Sequence, residues 1–410
     1  MSRSIKEEHN LGILIHNVGT MVSGDIENPI LQEEAVYIKG KYIEQVGAYK
    51  ELKKNKVDLD IDIQGMTLCP GLIDTHVHPN IGDWAPRTRT MGWMELSAHA
   101  GVTSMVSQGE VLLPGRPHDA AGVKALALLA RRVYEVYRPG GVKAHCGALL
   151  LEEGLTEKDI KELHDQGIWL FAEIGLGGLR DAEKVNELVK AARKYGYKIP
   201  MHFGPESVPG TQGGLTIDDM IEINPDVIVH FNGGSTSCPF PVMKKLAENC
   251  PAFLELITDG SYKAMRQGIE LLRERNEFNR IILGTDGPGG PACEFAGIIR
   301  LVARISCLFD IPAATVMAMG TGNAAKAYGL NTGMIKPGRE ADLIVIDAPL
   351  GSQGSNAMEA MEAGDRPNMG MVMIDGTVIV RMQARLFPAT KRVLINGQED
   401  PTKYPDIQFD

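Results

Sequence analysis

Two textures divide the chain. Between residues 12 and 65, short apolar runs alternate with turn residues. Ile13-Leu14-Ile15 and Ala35-Val36-Tyr37-Ile38 read as strands, Lys39-Gly40-Lys41 as a turn into Tyr42-Ile43, and Asp60-Ile61-Asp62-Ile63 alternates as a half-buried strand does. A helical turn is expected there only around 49–54. From residue 66 the pattern becomes strand, loop, helix, repeated. Apolar runs at 68–77, 102–107, 142–151, 168–174, 198–203, 226–231, 252–257 and 280–284 are separated by amphipathic or Ala-rich segments. Those segments lie at 120–137, 157–166, 182–195, 217–223, 241–248 and 262–276, with another helical stretch at 294–309. Eight buried strands alternating with helices predict parallel β/α units. Eight is also the number that closes a barrel, so the predicted fold class is α/β, a (β/α)8 TIM-like barrel over 66–331. An open doubly wound sheet is the alternative, and the lack of Gly-x-Gly-x-x-Gly after the first strand counts against it. After Gly322-Asn323-Ala324-Ala325 the β texture returns, with runs at 341–347 and 371–380, the second carrying a hairpin-type Asp375-Gly376. These strands are predicted to join the first ones in a composite β-sandwich of residues 1–65 and 332–410. The polar end of the chain is assigned no fold.

The apolar runs also carry polar residues at one end. Pro70-Gly71 turns into a strand with His76 and His78, which share a face because side chains at i and i+2 project together. Asp74 has the same parity and is expected to orient one of them. In parallel α/β barrels the catalytic groups sit at the C-terminal strand ends. The fourth run carries Glu173, the fifth ends in His202, the sixth in His230 and the eighth in Asp286. Singly, each has an ordinary explanation: a hydrogen-bonded core histidine, a paired carboxylate, a turn aspartate. Together, buried without compensation, they would cost several kcal/mol each. A pair of cations removes that cost, so His76, His78, Glu173, His202, His230 and Asp286 are the expected metal ligands. Arg87 and Arg116, on loops after strands one and two, are candidates to hold a substrate carboxylate. His145 on strand three is either a core histidine or a substrate contact. His99, His118 and His164 read as ordinary, and Met317 and Met319 as helix packing.

Composition narrows the class of partner. A hydrophobic content of 44% with 23% charged residues is that of a soluble globular protein. A net charge of -10 argues against a nucleic-acid or anionic-membrane binder. The polar start, Met1 to Glu8, lacks the apolar centre of a signal peptide, and no apolar stretch is long enough to span a membrane. Six scattered cysteines without Cys-x-x-Cys suggest reduced thiols in a cytoplasmic enzyme.

The run from Pro70 to His78, followed by single histidines and Gly284-Thr285-Asp286, resembles the amidohydrolase superfamily. Gly333 to Asp347 resembles the glycine-proline, then Ala-Asp-Leu, signature with which many members re-enter their sandwich. Within the superfamily, Gly82-Asp83-Trp84-Ala85-Pro86-Arg87, Pro114-Gly115-Arg116-Pro117, Asp119-Ala120-Ala121-Gly122, Glu173-Ile174-Gly175-Leu176-Gly177 and 327–333 resemble the branch that opens a cyclic enamide in anaerobic nicotinate breakdown. The resemblance implies two divalent metal ions per chain, Zn2+ and/or Fe2+. His76, His78 and Asp286 would hold the more buried ion, and His202 and His230 the other. Glu173 would bridge them where many members use a carboxylated lysine, with Lys143 a lower-ranked bridge. It further implies a metal-activated hydroxide, with Asp286 as the catalytic residue that moves its proton to the leaving nitrogen. The implied partner is a small-molecule cyclic amide, 6-oxo-1,4,5,6-tetrahydronicotinate, acted on by a homo-oligomer, a tetramer by resemblance. His202-Phe203-Gly204-Pro205-Glu206 departs from the branch's His-Thr-Gly-Gly, and Pro79 and Asn80 replace smaller residues, so the loops leave the substrate ring open. Alternatives are a hydantoinase- or dihydropyrimidinase-like enzyme, or a heterocycle deaminase, against which the spacing of Glu206 from His202 counts. A non-enzyme alternative, an assembly protein with a dihydropyrimidinase-like fold, sits poorly with a full set of ligands.

Overall fold

The computed structural model describes residues 11–79, 90–110, 113, 115–203, 213–234, 238–288, 294–381 and 390–398. Among them the strands are β1 Gly12–His16, β2 Thr20–Val22, β3 Ile30–Leu31, β4 Ala35–Lys39, β5 Tyr42–Gly47, β6 Leu59–Asp62, β7 Thr67–Pro70, β8 Leu72–Val77 and β9 Val102–Ser107. They continue as β10 Lys143–His145, β11 Pro200–His202, β12 Val227–Val229, β13 Phe253–Ile257, β14 Ile281–Gly284, β15 Leu343–Asp347, β16 Asn368–Ile374, β17 Thr377–Arg381 and β18 Leu394–Ile395.

Two sheets mix strands from both ends of the chain. One runs β18-β6-β1-β4-β5 and the other β17-β16-β15-β7-β2-β3. Their facing side chains form one cluster, with Ile13, Ile15, Val36, Ile38 and Ile61 from the first sheet and Leu68, Leu343, Val345, Met371 and Met373 from the second. Leu14 and Tyr37 point the other way in β1 and β4, as strand alternation requires, and pack with Leu52 of the short helix Tyr49–Leu52. The predicted hairpin forms at Asp375-Gly376, both at positive φ (49° and 73°), the backbone that a two-residue hairpin turn demands. Leu394–Ile395, to which no fold was assigned, pairs with β6.

The run predicted as one strand over 68–77 is two. Thr67–Pro70 pairs with β15 and β2, whereas Leu72–Val77 pairs with β9. The break falls at Gly71, where a Cβ would lie 2.3 Å from Thr103 Oγ1 and Cγ2, so only glycine lets the chain pass this close. Thr67–Pro70 therefore belongs to the mixed sheet, and the parallel strands begin after Gly71.

Beyond it the strands are parallel. β8, β9 and β10 form one sheet, and β11 to β14 another. The predicted fourth strand is not a regular ladder. It pairs through the single parallel bridges Leu149↔Phe171, Leu170↔Lys198 and Ile174↔Met201, and Val77↔Gly287 joins the last strand to the first. The pairings thus return to the strand where they began. Helices lie between the strands as the periodicity predicts, with reciprocal capping at Thr156/Asp159 and Thr216/Asp219 fixing two of their starts. The helix Thr90–His99 went unpredicted because its apolar residues form no stripe.

Candidate metal centre

His76 lies near the end of β8 and His78 just beyond it, His202 closes β11, and His230 follows β12. Asp286 follows β14, and Glu173 lies between the bridged residues Phe171 and Ile174. These six meet in two groups, His76, His78, Asp286 and Glu173, His202, His230, each with ligand atoms close enough to hold one ion. In the first, His76 Nε2 and His78 Nε2 are 3.2 Å apart and lie 3.4 and 3.2 Å from Asp286 Oδ1. In the second, Glu173 Oε2 lies 3.0 Å from His202 Nδ1 and 3.3 Å from His230 Nε2. Glu173 belongs to both groups, because its other oxygen, Oε1, sits 3.4 Å from His78 Nε2 and 3.8 Å from His76 Nε2. One carboxylate thus turns one oxygen to each histidine pair. Imidazole nitrogens and carboxylate oxygens converging in this way fit divalent metals such as zinc or iron.

In the first histidine pair the ring nitrogens facing away from the site are committed. His76 Nδ1 donates to Glu255 Oε2 at 2.7 Å, and His78 Nδ1 to the Gly109 carbonyl at 3.0 Å, which leaves each Nε2 lone pair for a metal. Glu255, buried in β13, was missed. It also accepts the Thr75 hydroxyl at 2.5 Å and the His230 backbone N–H at 3.1 Å, so one carboxylate braces two neighbouring residues of β8 and the turn that carries His230. Asp74, expected to orient a histidine, touches neither ring. It accepts Thr285 N–H at 2.9 Å and Thr285 Oγ1–H at 2.6 Å, tying β8 to the Asp286 turn. Both His230 and Asp286 occupy positive φ (37° and 62°), a conformation costing about 1–2 kcal/mol that the anchored neighbours hold in place.

The site's electrostatics favour a cation. Burial alone would raise the carboxyls of Glu173 and Asp286, yet the facing imidazoles outweigh it and hold both below the ordinary carboxylate range. Burial alone would lower His76 and His78, and the surrounding carboxylates instead raise both, His78 to about 9. A field that draws protons onto these rings equally draws a metal. Glu110, just beyond β9, is buried with neither carboxyl oxygen bonded among the described residues, and burial pushes it up to about 8 against a smaller opposing pull from His78.

The other candidates fall elsewhere. Lys143 is no bridge: its Nζ contacts Glu340, Asp342 and Asp375, carboxylates of the C-terminal segment. His145 packs edge-on against Trp169 with ring centres 6.1 Å apart, and burial and the charges of Lys143 and Arg131 lower it to about 4. Arg116 donates to Glu152 Oε1 at 2.8 Å and to the Pro117 carbonyl, which already occupies part of its fork. Arg87, Asn80 and Glu206 lie outside the described residues. Met317 and Met319 are fully buried, as predicted.

The two carboxylate-linked histidine pairs at the ends of parallel strands form a candidate metal centre, and the chain belongs to the amidohydrolase family, hydrolases of carbon–nitrogen bonds. Residues 212–379 match the Amidohydrolase family directly. Among individual relatives, the chain is 41% identical to the enamidase of Eubacterium barkeri over 380 residues, covering 92% of this chain and 98% of that one. A crystal structure of enamidase superposes with a TM-score of 0.90 at 40% identity, covering 94% of this chain and all of that one. The imidazolonepropionase of Bdellovibrio bacteriovorus is 22% identical, covering 82% of this chain and 91% of the relative.

Proposed function

We propose that this protein is an enamidase that opens a cyclic enamide bearing a carboxylate, 6-oxo-1,4,5,6-tetrahydronicotinate, at two divalent metals, Zn2+ and/or Fe2+. In this reading the two parallel sheets and their linking bridges are a (β/α)8 TIM-like barrel. The mixed sheets, built from β1 to β7 and β15 to β18, are the core of its composite β-sandwich. The observation that carries the function is the split carboxylate of Glu173, one oxygen to each histidine pair. A deaminase built on a single cation has no use for a bridging group.

His76, His78, Asp286 and one oxygen of Glu173 would hold one ion, and His202, His230 and the other oxygen the second. Bound cations supply a water acidic enough to ionise at neutral pH and a positive charge for the amide oxygen. Asp286 is the most exposed of the carboxylates in the site, its side chain about 30% open, so its free oxygen can meet a substrate. It takes the proton of the attacking water and delivers it to the departing ring nitrogen. His78, fixed through Gly109, and His76, fixed through Glu255, hold their orientation during that transfer. Arg116, through the part of its guanidinium not on Glu152, and Arg87 are the candidates for the substrate carboxylate.

The test compares ring opening of this acid, its uncharged amide analogue, and a hydantoin or dihydropyrimidine. Turnover of the acid well above the others is expected. If a neutral ring is opened and the acid is not, the enamidase reading fails and only a cyclic amidohydrolase survives.

A further inference from the structure

Away from both histidine groups, a groove of about 720 Å3 runs between the helix Gly297–Phe309 and the segments flanking β15 and β16. Three guanidiniums line it, from Arg300, Arg304 and Arg366. Arg300 pairs with Glu294, and Arg304 lies over the Tyr262 ring at 5.0 Å. Arg366 is half-buried and has no hydrogen bond or ion pair among the described residues. Asp365, which also lines the groove, forms no ion pair with any of the three arginines. Burial and the charge of Arg300 together pull Arg366 below its ordinary pKa, against a smaller opposing pull from Glu294. An arginine stays charged in proteins, so it cannot escape this cost by losing its proton. At the edges of the groove, Leu308 and Leu350 stand 64% and 90% exposed.

We propose that this groove is a binding site for a small organic oxyanion, a carboxylate or phosphate on an apolar body, held by Arg366 with Arg300 and Arg304. Planar forks suit the oxygen pairs of such groups, and the two leucines suit the body. Self-association through the groove fits less well. A two-fold contact would set three guanidiniums against their own copies, with only Asp365 and Glu294 of each chain to offset them.

The metal-loaded full-length protein is titrated calorimetrically with phenyl phosphate, inorganic phosphate, benzoate and, as the uncharged control, benzamide. The two phosphates compared with benzoate distinguish the headgroup. Because metals could themselves bind these anions, the readout is the difference between wild type and Arg366→Met. One equivalent bound by wild type, weakened by about tenfold or more in Arg366→Met and by a similar factor in Arg304→Met, with kcat unchanged, supports the proposal. Without anion, Arg366→Met should also raise the melting temperature. Equal binding by wild type and variant, or equal binding of benzamide, overturns it. So does a fall in sedimentation mass on either substitution, which would make the face a contact between copies. If Arg366→Met does not fold, Arg304→Met alone decides by the same criteria.

Discussion

Glu255→Gln isolates the contribution of one buried charge to metal affinity. The substitution keeps the shape of the side chain. The amide oxygen can still accept from His76 Nδ1 and the His230 N–H, now at 2.7 and 3.1 Å. The new NH2 group meets Thr75 Oγ1, which can turn to accept it while donating to the Leu283 carbonyl 2.8 Å away. Only the charge is lost. Charge-assisted hydrogen bonds are roughly twice as strong as neutral ones, and changes one shell beyond a ligand typically weaken metal affinity about 10–100-fold, or about 1.4–2.7 kcal/mol. The ion at His76 should feel most of this, because His230 is braced through its backbone and not its ring. Competition with a chelator, followed by elemental analysis, should show one equivalent leaving at a lower chelator concentration than in wild type. The melting temperature of the metal-loaded protein should fall only modestly. If both equivalents leave at the wild-type concentration, Glu255 does not tune the site and its geometry is merely structural.

Three further outcomes are expected. Glu173→Ala should lose one or both metals on elemental analysis, while Asp286→Asn should keep at least one and lose about a hundredfold or more in turnover; a fully active Asp286→Asn would refute the proton path. Glu110 holds its proton in the folded state up to about pH 8 but, with an ordinary value of 4.5, releases it when unfolded. Its contribution is therefore fully present below the unfolded value and lost as pH rises through 8, by up to roughly 4–5 kcal/mol. Urea midpoints measured from pH 6 to 9 should fall for wild type and stay flatter for Glu110→Gln. Gly71→Ala should drive a methyl into the stiff Thr103 side chain and cost about 1–3 kcal/mol, read as a lower urea midpoint; an unchanged midpoint would mean the strand break has slack.

The six residues that converge on the candidate metal centre were legible because each interrupts an apolar run at a strand end, and burial without a partner is expensive there. Glu255 carries the same signal inside Phe253-Leu254-Glu255-Leu256-Ile257, but it lies mid-strand rather than at an end, and only the fold brings it under His76. Asp74 shows the limit of parity: sharing a face with His76 says nothing of reach, and Thr285 lies nearer. Arg116 read as a free cation because its partner, Glu152, is 36 residues away. The Pro70-Gly71 turn was legible, but not that it separates two sheets: Thr67–Pro70 and Leu72–Val77 are equally buried, and only their pairing differs.

The Lys143 cluster bears on anyone who would trim this protein. The ammonium comes from the parallel-strand part of the chain, while Glu340, Asp342 and Asp375 come from the segment that completes the mixed sheets. A shortened version ending before residue 340 would strand a mostly buried positive charge, a defect of about 3–5 kcal/mol when a partner is removed from such a pair. Catalytic minimisation by deletion would therefore start in deficit, and a library of shortened variants should carry an apolar replacement at position 143 from the outset.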